Sequence, residues 1–226
     1  MLGYSFADWS IANVIIRMLV SLVLGCIVGL DRSVKRRGAG TKTHTVVCLG
    51  ASLVALTAQY MEEMFPGHSD MARMSAQVIS GVGFLGVGTI FIADHKVRGL
   101  TTAASLWTCA CIGLAVGIGF VEGAVFTTVL LLLALHVLPV LDRAMLKHSK
   151  YFTLYIEMES NKAIPGFIEQ LRQEGIWIDT FDVVKAKGKG SGISVLTTIK
   201  IDNKIQRDTY MEILQSIDGV VAVENL

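Results

Sequence analysis

Residues 11–32 read IANVIIRMLVSLVLGCIVGLDR. Between Ile11 and Leu30 only Asn13, Arg17 and Ser21 are polar, and a run of about 20 apolar residues is what a helix needs to cross the hydrocarbon core of a bilayer. Arg17 interrupts the run and no small-residue cleavage site follows a basic start, so the stretch does not read as a removable signal segment. Four more stretches have the same character: 43–61, 75–93, 100–119 and 121–141. Composition agrees, with 52% hydrophobic and 17% charged residues in a chain of 226, against roughly 25% charged in an ordinary soluble domain. Twenty basic and 19 acidic side chains leave a net charge of +1. That balance argues against nucleic-acid binding, which asks for a basic face, and against the charge excess of a disordered chain.

The charges are unevenly distributed. Residues 1–150 hold 12 Lys/Arg, 8 Asp/Glu, 16 of the 22 glycines and all four cysteines, whereas 151–226 hold 8 Lys/Arg and 11 Asp/Glu. Two units are expected: an α-helical polytopic membrane domain of about five spans over 1–146, then a small polar domain over 147–226. Lys/Arg asymmetry across short loops sets the orientation. One side of the spans collects Arg32, Lys35, Arg36, Arg37, Lys42, Lys96, Arg98, Arg143, Lys147 and Lys150, and the other only Arg73. The first side is therefore expected in the cytoplasm, with the amino terminus outside and the tail inside. Cys26, Cys48, Cys109 and Cys111 sit in apolar runs without metal-ligand spacing and read as small packing residues.

From Phe152 the period changes to two: Phe152, Leu154, Ile156 and Met158 alternate with polar neighbours, as in a half-buried strand. Ile164, Phe167, Ile168 and Leu171 have helical spacing, with Gly175 placed to stop the helix. Strands over 176–184 and 193–201 flank a turn carrying Lys185, Lys187, Lys189, Gly188, Gly190 and Gly192, either a solvated tip or a contact for an anionic ligand. Tyr210, Ile213, Leu214 and Ile217 mark a second helix, and 220–223 a last strand. The order βαββαβ predicts an α+β ferredoxin-like domain. It resembles the ACT class of regulatory modules, which implies a small ligand bound by the cytoplasmic domain and pairing of subunits.

Asn13, Arg17, Ser21, Gly25 and Gly29 recur every four residues and form one polar-to-small ridge, which lipid does not favour. Gly25 and Gly29 make a GxxxG pair, suited to close helix approach within the chain or in a homodimer. Thr101, Ser105, Cys109, Gly113 and Gly117 form a second ridge, and Val47, Ala51, Ala55 and Gln59 a third. The three are expected to meet. In the third stretch Gly81, Gly83, Gly86 and Gly88 fit GxGxxG, but a membrane-length apolar run is the wrong setting for a dinucleotide loop. Each interior glycine costs about 1 kcal/mol relative to alanine, so tight packing is expected there, or a broken helix lining a transport site.

Arg17 either reaches outward to the interface or faces the bundle, where an ionisable group implies function. His136 is read as ordinary packing or a proton-linked group. Asp31 stands at a helix C-terminus, where the dipole disfavours an anion, and needs a partner such as Arg32, Arg36, Arg37 or Lys42. With Asp94 and Asp142 it gives three carboxylates at inner span ends, either flank charges or ligands for a hard cation such as Mg2+. Thr101 and Thr102 can cap the fourth span, whose positive end attracts an anion or the Asp31 carboxylate.

Arg17-Met18, Gly25 to Gly29, Asp31-Arg32, Arg37-Gly38-Ala39-Gly40, Thr43-His44, Gly81-Val82-Gly83-Phe84-Leu85-Gly86, Gly99-Leu100-Thr101-Thr102-Ala103-Ala104 and Trp107 occur together. In combination they resemble the MgtC/SapB family of bacterial inner-membrane proteins. The resemblance spans most of residues 10–120. It implies a five-span plasma-membrane protein linked to Mg2+ limitation, to virulence in some pathogens, and often carrying an ACT-like tail. Asp31 stands where many members have Glu, and Thr41-Lys42 where relatives often have Leu-Arg, which removes an Arg fork from that position.

No HExxH, P-loop or nucleophile arrangement points to an enzyme. The expected function is that of a regulator or accessory factor in Mg2+ homeostasis, acting through helix contacts, a membrane-protein partner and a sensing tail. A secondary transporter or channel for Mg2+ or another small ion is the alternative. The functional candidates are Asp31, Arg32, Arg17, Asn13, Thr101, Thr102 and Trp107; no cofactor is expected other than Mg2+ itself.

Overall fold

A computed structural model describes residues 8–35, 37–67, 70–93, 96–146, 151–185, 193–200 and 207–225. The chain divides into two compact units, 1–140 and 141–226. Helices α1 (Ile11–Val34), α2 (Thr41–Met64), α3 (Met71–Val87) and α4 (Leu100–Gly117) belong to the first, and α5 (Val121–Leu146) runs from the first into the second. Four of these, α1, α2, α4 and α5, are long and apolar enough to cross a membrane.

The third expected stretch, 75–93, is helical over only part of its length. α3 has 17 residues, about 25 Å of helix at 1.5 Å per residue. The apolar residues beyond it belong to strand β1 (Phe91–Ala93), paired antiparallel with β2 (Lys96–Arg98). A short apolar run reads alike as strand or buried helix, and here Gly99 decides the geometry. Its φ is +95°, and a Cβ would collide with the Thr89 carbonyl, so the chain turns back before α4 begins.

Local chemistry fixes the helix starts. The Ser10 hydroxyl accepts from the Asn13 N–H at 3.1 Å, and the Asp70 carboxylate accepts from the Arg73 N–H at 3.1 Å, each satisfying a donor that the first turn leaves open. α2 starts after Gly40, which has no side chain to cap it. Ser33, from the end of α1, takes that role: its Oγ accepts from the Thr41 N–H at 2.9 Å.

The first unit packs α1, α2 and α4 around Leu24, Cys48, Ile112, Val116 and Ala124, with Ala51, Ala55, Val82, Ala110 and Leu114 on the side of α3. Its outer surface is apolar, with Ile15, Leu19, Val23, Ile27 and Leu30 exposed along α1 alone.

In the second unit, β3 (Tyr151–Met158), α6 (Ala163–Gln173), β4 (Trp177–Lys185), β5 (Ile193–Lys200), α7 (Arg207–Gln215) and β6 (Val220–Asn225) follow the expected element order. The sheet runs β4-β5-β3-β6 with every pair antiparallel. Leu154, Ile156 and Met158 of β3 meet Phe167 and Leu171 of α6 and Tyr210 and Leu214 of α7 in one apolar core. Gly175, at φ +71°, follows α6. α7 ends at Gln215, so Ile217, expected in the helix, is buried just beyond it. Lys187, Lys189 and the three turn glycines lie outside the described residues.

Candidate functional site

The i, i+4 ridge of α1 faces inward. Asn13, Arg17, Ser21, Gly25 and Gly29 are all buried, joined by Arg32. Ser105, Cys109, Gly113 and Gly117 of α4 are buried as well, while Thr101 is exposed. On α2 the inward face lies partly beside the expected one: His44, Cys48, Ala51, Ser52 and Ala55 are buried, Val47 and Gln59 only half-buried.

Glycine permits the approach. A Cβ on Gly25 would stand 2.8 Å from Cys48 Cβ, on Gly29 2.5 Å from Thr41 Cα, and on Gly117 2.5 Å from the Ser52 carbonyl oxygen. On Gly113 it would overlap the Cys48 carbonyl. The α1–α2 and α2–α4 seams thus have no room for a methyl group. On α3 only Gly86 does comparable work, with Ala103 Cβ at 3.3 Å; Gly88 meets carbonyls of its own preceding turn. At Gly81 and Gly83 a Cβ would meet nothing within 4 Å, so these two glycines face away from the rest of the chain. α3 is continuous through Gly81, Gly83 and Gly86 and stops at Val87, with Gly88 as its C-cap.

Two polar clusters lie in this bundle, one near each end of α1. At the first, Arg17 is fully buried. Its Nη1 donates to Gln59 Oε1 at 2.6 Å and to the Gly117 carbonyl at 3.0 Å, and its Nη2 to the Asp8 carbonyl at 3.1 Å. One guanidinium therefore ties α1 to α2 and to the C-terminus of α4, where carbonyls lack helical partners and a cation suits the dipole. Asn13 Nδ2 also donates to the Asp8 carbonyl, at 2.9 Å. Of the two readings of Arg17, the bundle-facing one holds.

At the second cluster Arg32 Nη2 donates to Thr102 Oγ1 at 2.8 Å. Ser105 Oγ lies 2.9 Å from the Thr102 carbonyl and 3.0 Å from His44 Nε2, and His44 Nδ1 lies 2.9 Å from the Gly40 carbonyl. Helices α1, α2 and α4 are thereby joined through polar side chains. The residue that reaches the start of α4 is Arg32, not Asp31. Asp31 turns the other way: its Oδ1 lies 2.9 Å from Lys35 Nζ and 3.2 Å from His136 Nε2. Neighbouring helix residues do not face each other, which separates Asp31 from Arg32. His136, mostly exposed, also contacts the Leu132 carbonyl through Nδ1 at 2.8 Å and Lys35 Nζ at 3.0 Å. Trp107 is 45% exposed on the outer face of α4 and joins neither cluster.

Of the three carboxylates of the metal reading, Asp31 is engaged by Lys35 and His136. Asp142 lies on an exposed part of α5, and Asp94, like Arg36, lies outside the described residues. Among the described residues no group of three His, Cys, Asp or Glu side chains comes together as metal ligands.

A sequence model of the MgtC family matches residues 18–144, the stretch that contains both the glycine seams and the Arg32 cluster. The chain belongs to the MgtC family. It is 32% identical over 219 residues to an uncharacterized protein of Haemophilus influenzae, covering 92% of this chain and 90% of the relative. An Escherichia coli K12 protein, YhiD, named as a candidate magnesium transporter, is 26% identical, with 95% of this chain and 98% of the relative covered. Protein MgtC of Salmonella typhimurium is 38% identical over 120 residues, 53% of this chain and 50% of the relative. No solved structure matches.

The sequence reading of this MgtC-family chain missed His44 and Ser105 as a hydrogen-bonded pair, although both were in view, His44 in the Thr43-His44 string and Ser105 on the α4 ridge. The available signal was their spacing. His44 precedes Cys48 by four residues and Ser105 precedes Cys109 by four, so each extends an inward row by one turn. The Asp31–His136 contact had no such signal, because the two stand 105 positions apart.

Proposed function

We propose that this chain is a non-enzymatic regulator or accessory factor of Mg2+ homeostasis in the bacterial inner membrane, acting by contact with a membrane-protein partner. The observation that carries this reading is the closed bundle. The seams between α1, α2 and α4 leave no space for a methyl group at Gly113 or Gly29, and fully buried Arg17 and nearly buried Arg32 stand near its two ends. A Mg2+ ion keeps several of its waters and would have to pass two guanidiniums to cross there. In this reading α3 is a fifth, short span, the amino terminus lies outside, and the tail is a cytoplasmic ferredoxin-like module of ACT type that binds a small ligand. The strand order β4-β5-β3-β6 with both helices on one core supports that last assignment, and the same module or the outer face of α3 offers a contact for a homodimer.

Transport of Mg2+ is the second reading, supported by the name of YhiD, which this chain matches over 95% of its length. Mg2+ flux into proteoliposomes holding the purified full-length protein separates the two. Regulation predicts flux no greater than in empty liposomes, from protein that still restores growth of a deletion strain in low Mg2+. Protein-dependent flux that saturates with Mg2+ would replace regulation by transport.

A further inference from the structure

The Arg32 cluster contains an unmet electrostatic demand. Arg32 is 4% exposed, and its Nε is buried with no acceptor among the described residues. Its Nη2 points at Thr102 Oγ1, in the first turn of an 18-residue helix. That turn is itself positive: the N–H groups of Leu100, Thr101 and Thr102 precede the first intrahelical bond, from the Ala103 N–H to the Gly99 carbonyl at 2.9 Å, and Gly99 has no side chain to cap them. A cation at the N-terminus of a helix opposes the dipole. Arg37, whose N–H donates to the Arg32 carbonyl at 3.0 Å, brings another guanidinium to this end of the bundle. The nearby carboxylate answers this charge only in part: Asp31 attracts Arg32 across one helix step, but its Oδ1 is engaged by Lys35 and His136 and its buried Oδ2 accepts no hydrogen bond among the described residues.

We infer that Arg32, Arg37 and the first turn of α4 form a binding site for a phosphate group. The chemistry is that of helix-terminus anion sites, where backbone N–H groups and the positive dipole end meet an oxyanion, here with a guanidinium fork that bonds phosphate oxygens in pairs. Gly38 borders the site: a Cβ there would lie 3.6 Å from Thr102 Oγ1, an ordinary contact distance. The end of α1 and the start of α4 are ends of candidate spans, the depth at which lipid headgroups sit. An anionic phospholipid and free inorganic phosphate both supply the group. The site is independent of whether the protein regulates or transports.

The test is thermal unfolding of the purified full-length protein in a neutral detergent. Inorganic phosphate is titrated against chloride at equal ionic strength, and phosphatidylglycerol against phosphatidylcholine. A ligand that binds only the folded state raises the midpoint in a saturable way. The expected result is a saturable rise with phosphatidylglycerol, absent with phosphatidylcholine. A matching rise with phosphate alone makes the free anion sufficient, and a rise with the lipid alone makes the headgroup the ligand. Arg32→Gln is expected to abolish the rise. Arg37→Gln, an exposed change that leaves the fold intact, is expected to weaken apparent affinity about tenfold, the weight of one charge-assisted contact. No rise with either phosphate source, an equal rise with phosphatidylcholine, or unchanged affinity in Arg37→Gln overturns the site.

Discussion

The two units of this chain solve burial in different ways. In the helical unit Asn13, Arg17, Ser21, Arg32, His44, Ser52, Thr102 and Ser105 share the interior with Leu24, Leu106, Ile112 and Val116, while Ile15, Leu19, Phe84, Phe126 and Leu133 face outward. In the second unit the core is Leu154, Ile156, Met158, Phe167, Leu171 and Leu214. The surroundings explain the difference. Lipid tails are as apolar as leucine, so helices there gain nothing by hiding leucine and associate through small residues and interhelical hydrogen bonds. Water makes apolar burial the driving force for the tail. A substitution therefore has different consequences in the two units, and that difference is open to test.

The largest effect is expected at Gly113. Its added side chain would meet the Cys48 carbonyl, backbone with no flexible end to move aside. Overpacking costs typically 1–3 kcal/mol even in side-chain cores, and Gly113→Leu is expected to exceed that and force α2 from α4. Size-exclusion recovery of the detergent-solubilised protein measures it. Normal recovery would mean that the seam is looser than its geometry.

Next comes the core of the tail. Phe167 is fully buried there, and Phe167→Ala is expected to cost about 3–5 kcal/mol. Proteolysis of the tail should rise sharply while the helical unit keeps its own melting transition. A common loss of both transitions would show the units to be one cooperative body.

Arg17→Lys tests the polar interior. Lysine keeps the charge but not the fork that holds Gln59, the Gly117 carbonyl and the Asp8 carbonyl together. Losing one charged hydrogen bond costs about 1.5–3 kcal/mol, and a loss near 2 kcal/mol is expected in thermal melts. An unchanged midpoint would mark the guanidinium as dispensable for packing and move its role to function.

These residues also mark what the sequence discloses. The inward ridge of α1 is legible because spacing by four places polar and small residues on one face, and lipid would reject that face. The strands of the tail are legible because period two persists for whole strands, as in Phe152 to Met158. The β1–β2 hairpin is not, since Phe91, Ile92 and Ala93 extend an apolar run and hydropathy carries no direction. The pairing of Arg32 with Thr102 across 70 positions is a tertiary fact, and local rules pointed to Asp31 instead. The glycines of α3 show the same limit: their number signals a purpose, but not the side on which it lies.

Gly81→Ala and Gly83→Ala put that last point to the smallest and sharpest test. A Cβ at either position meets nothing within the chain, and alanine in a helix interior is favoured over glycine by about 1 kcal/mol. If lipid alone faces this side of α3, each change should raise the midpoint by about 2–4 °C, the shift expected per kcal/mol for a chain of this size. A second copy or a partner helix closing on these glycines would reverse the sign, because the added methyl would then meet a backbone as it would at Gly113. Melting the variant in detergent and crosslinking it in membranes separates the cases. A higher midpoint with unchanged crosslinking leaves the glycine face to lipid, whereas a lower midpoint with crosslinks lost places the homodimer contact on α3 rather than on the seam-filling glycines of α1.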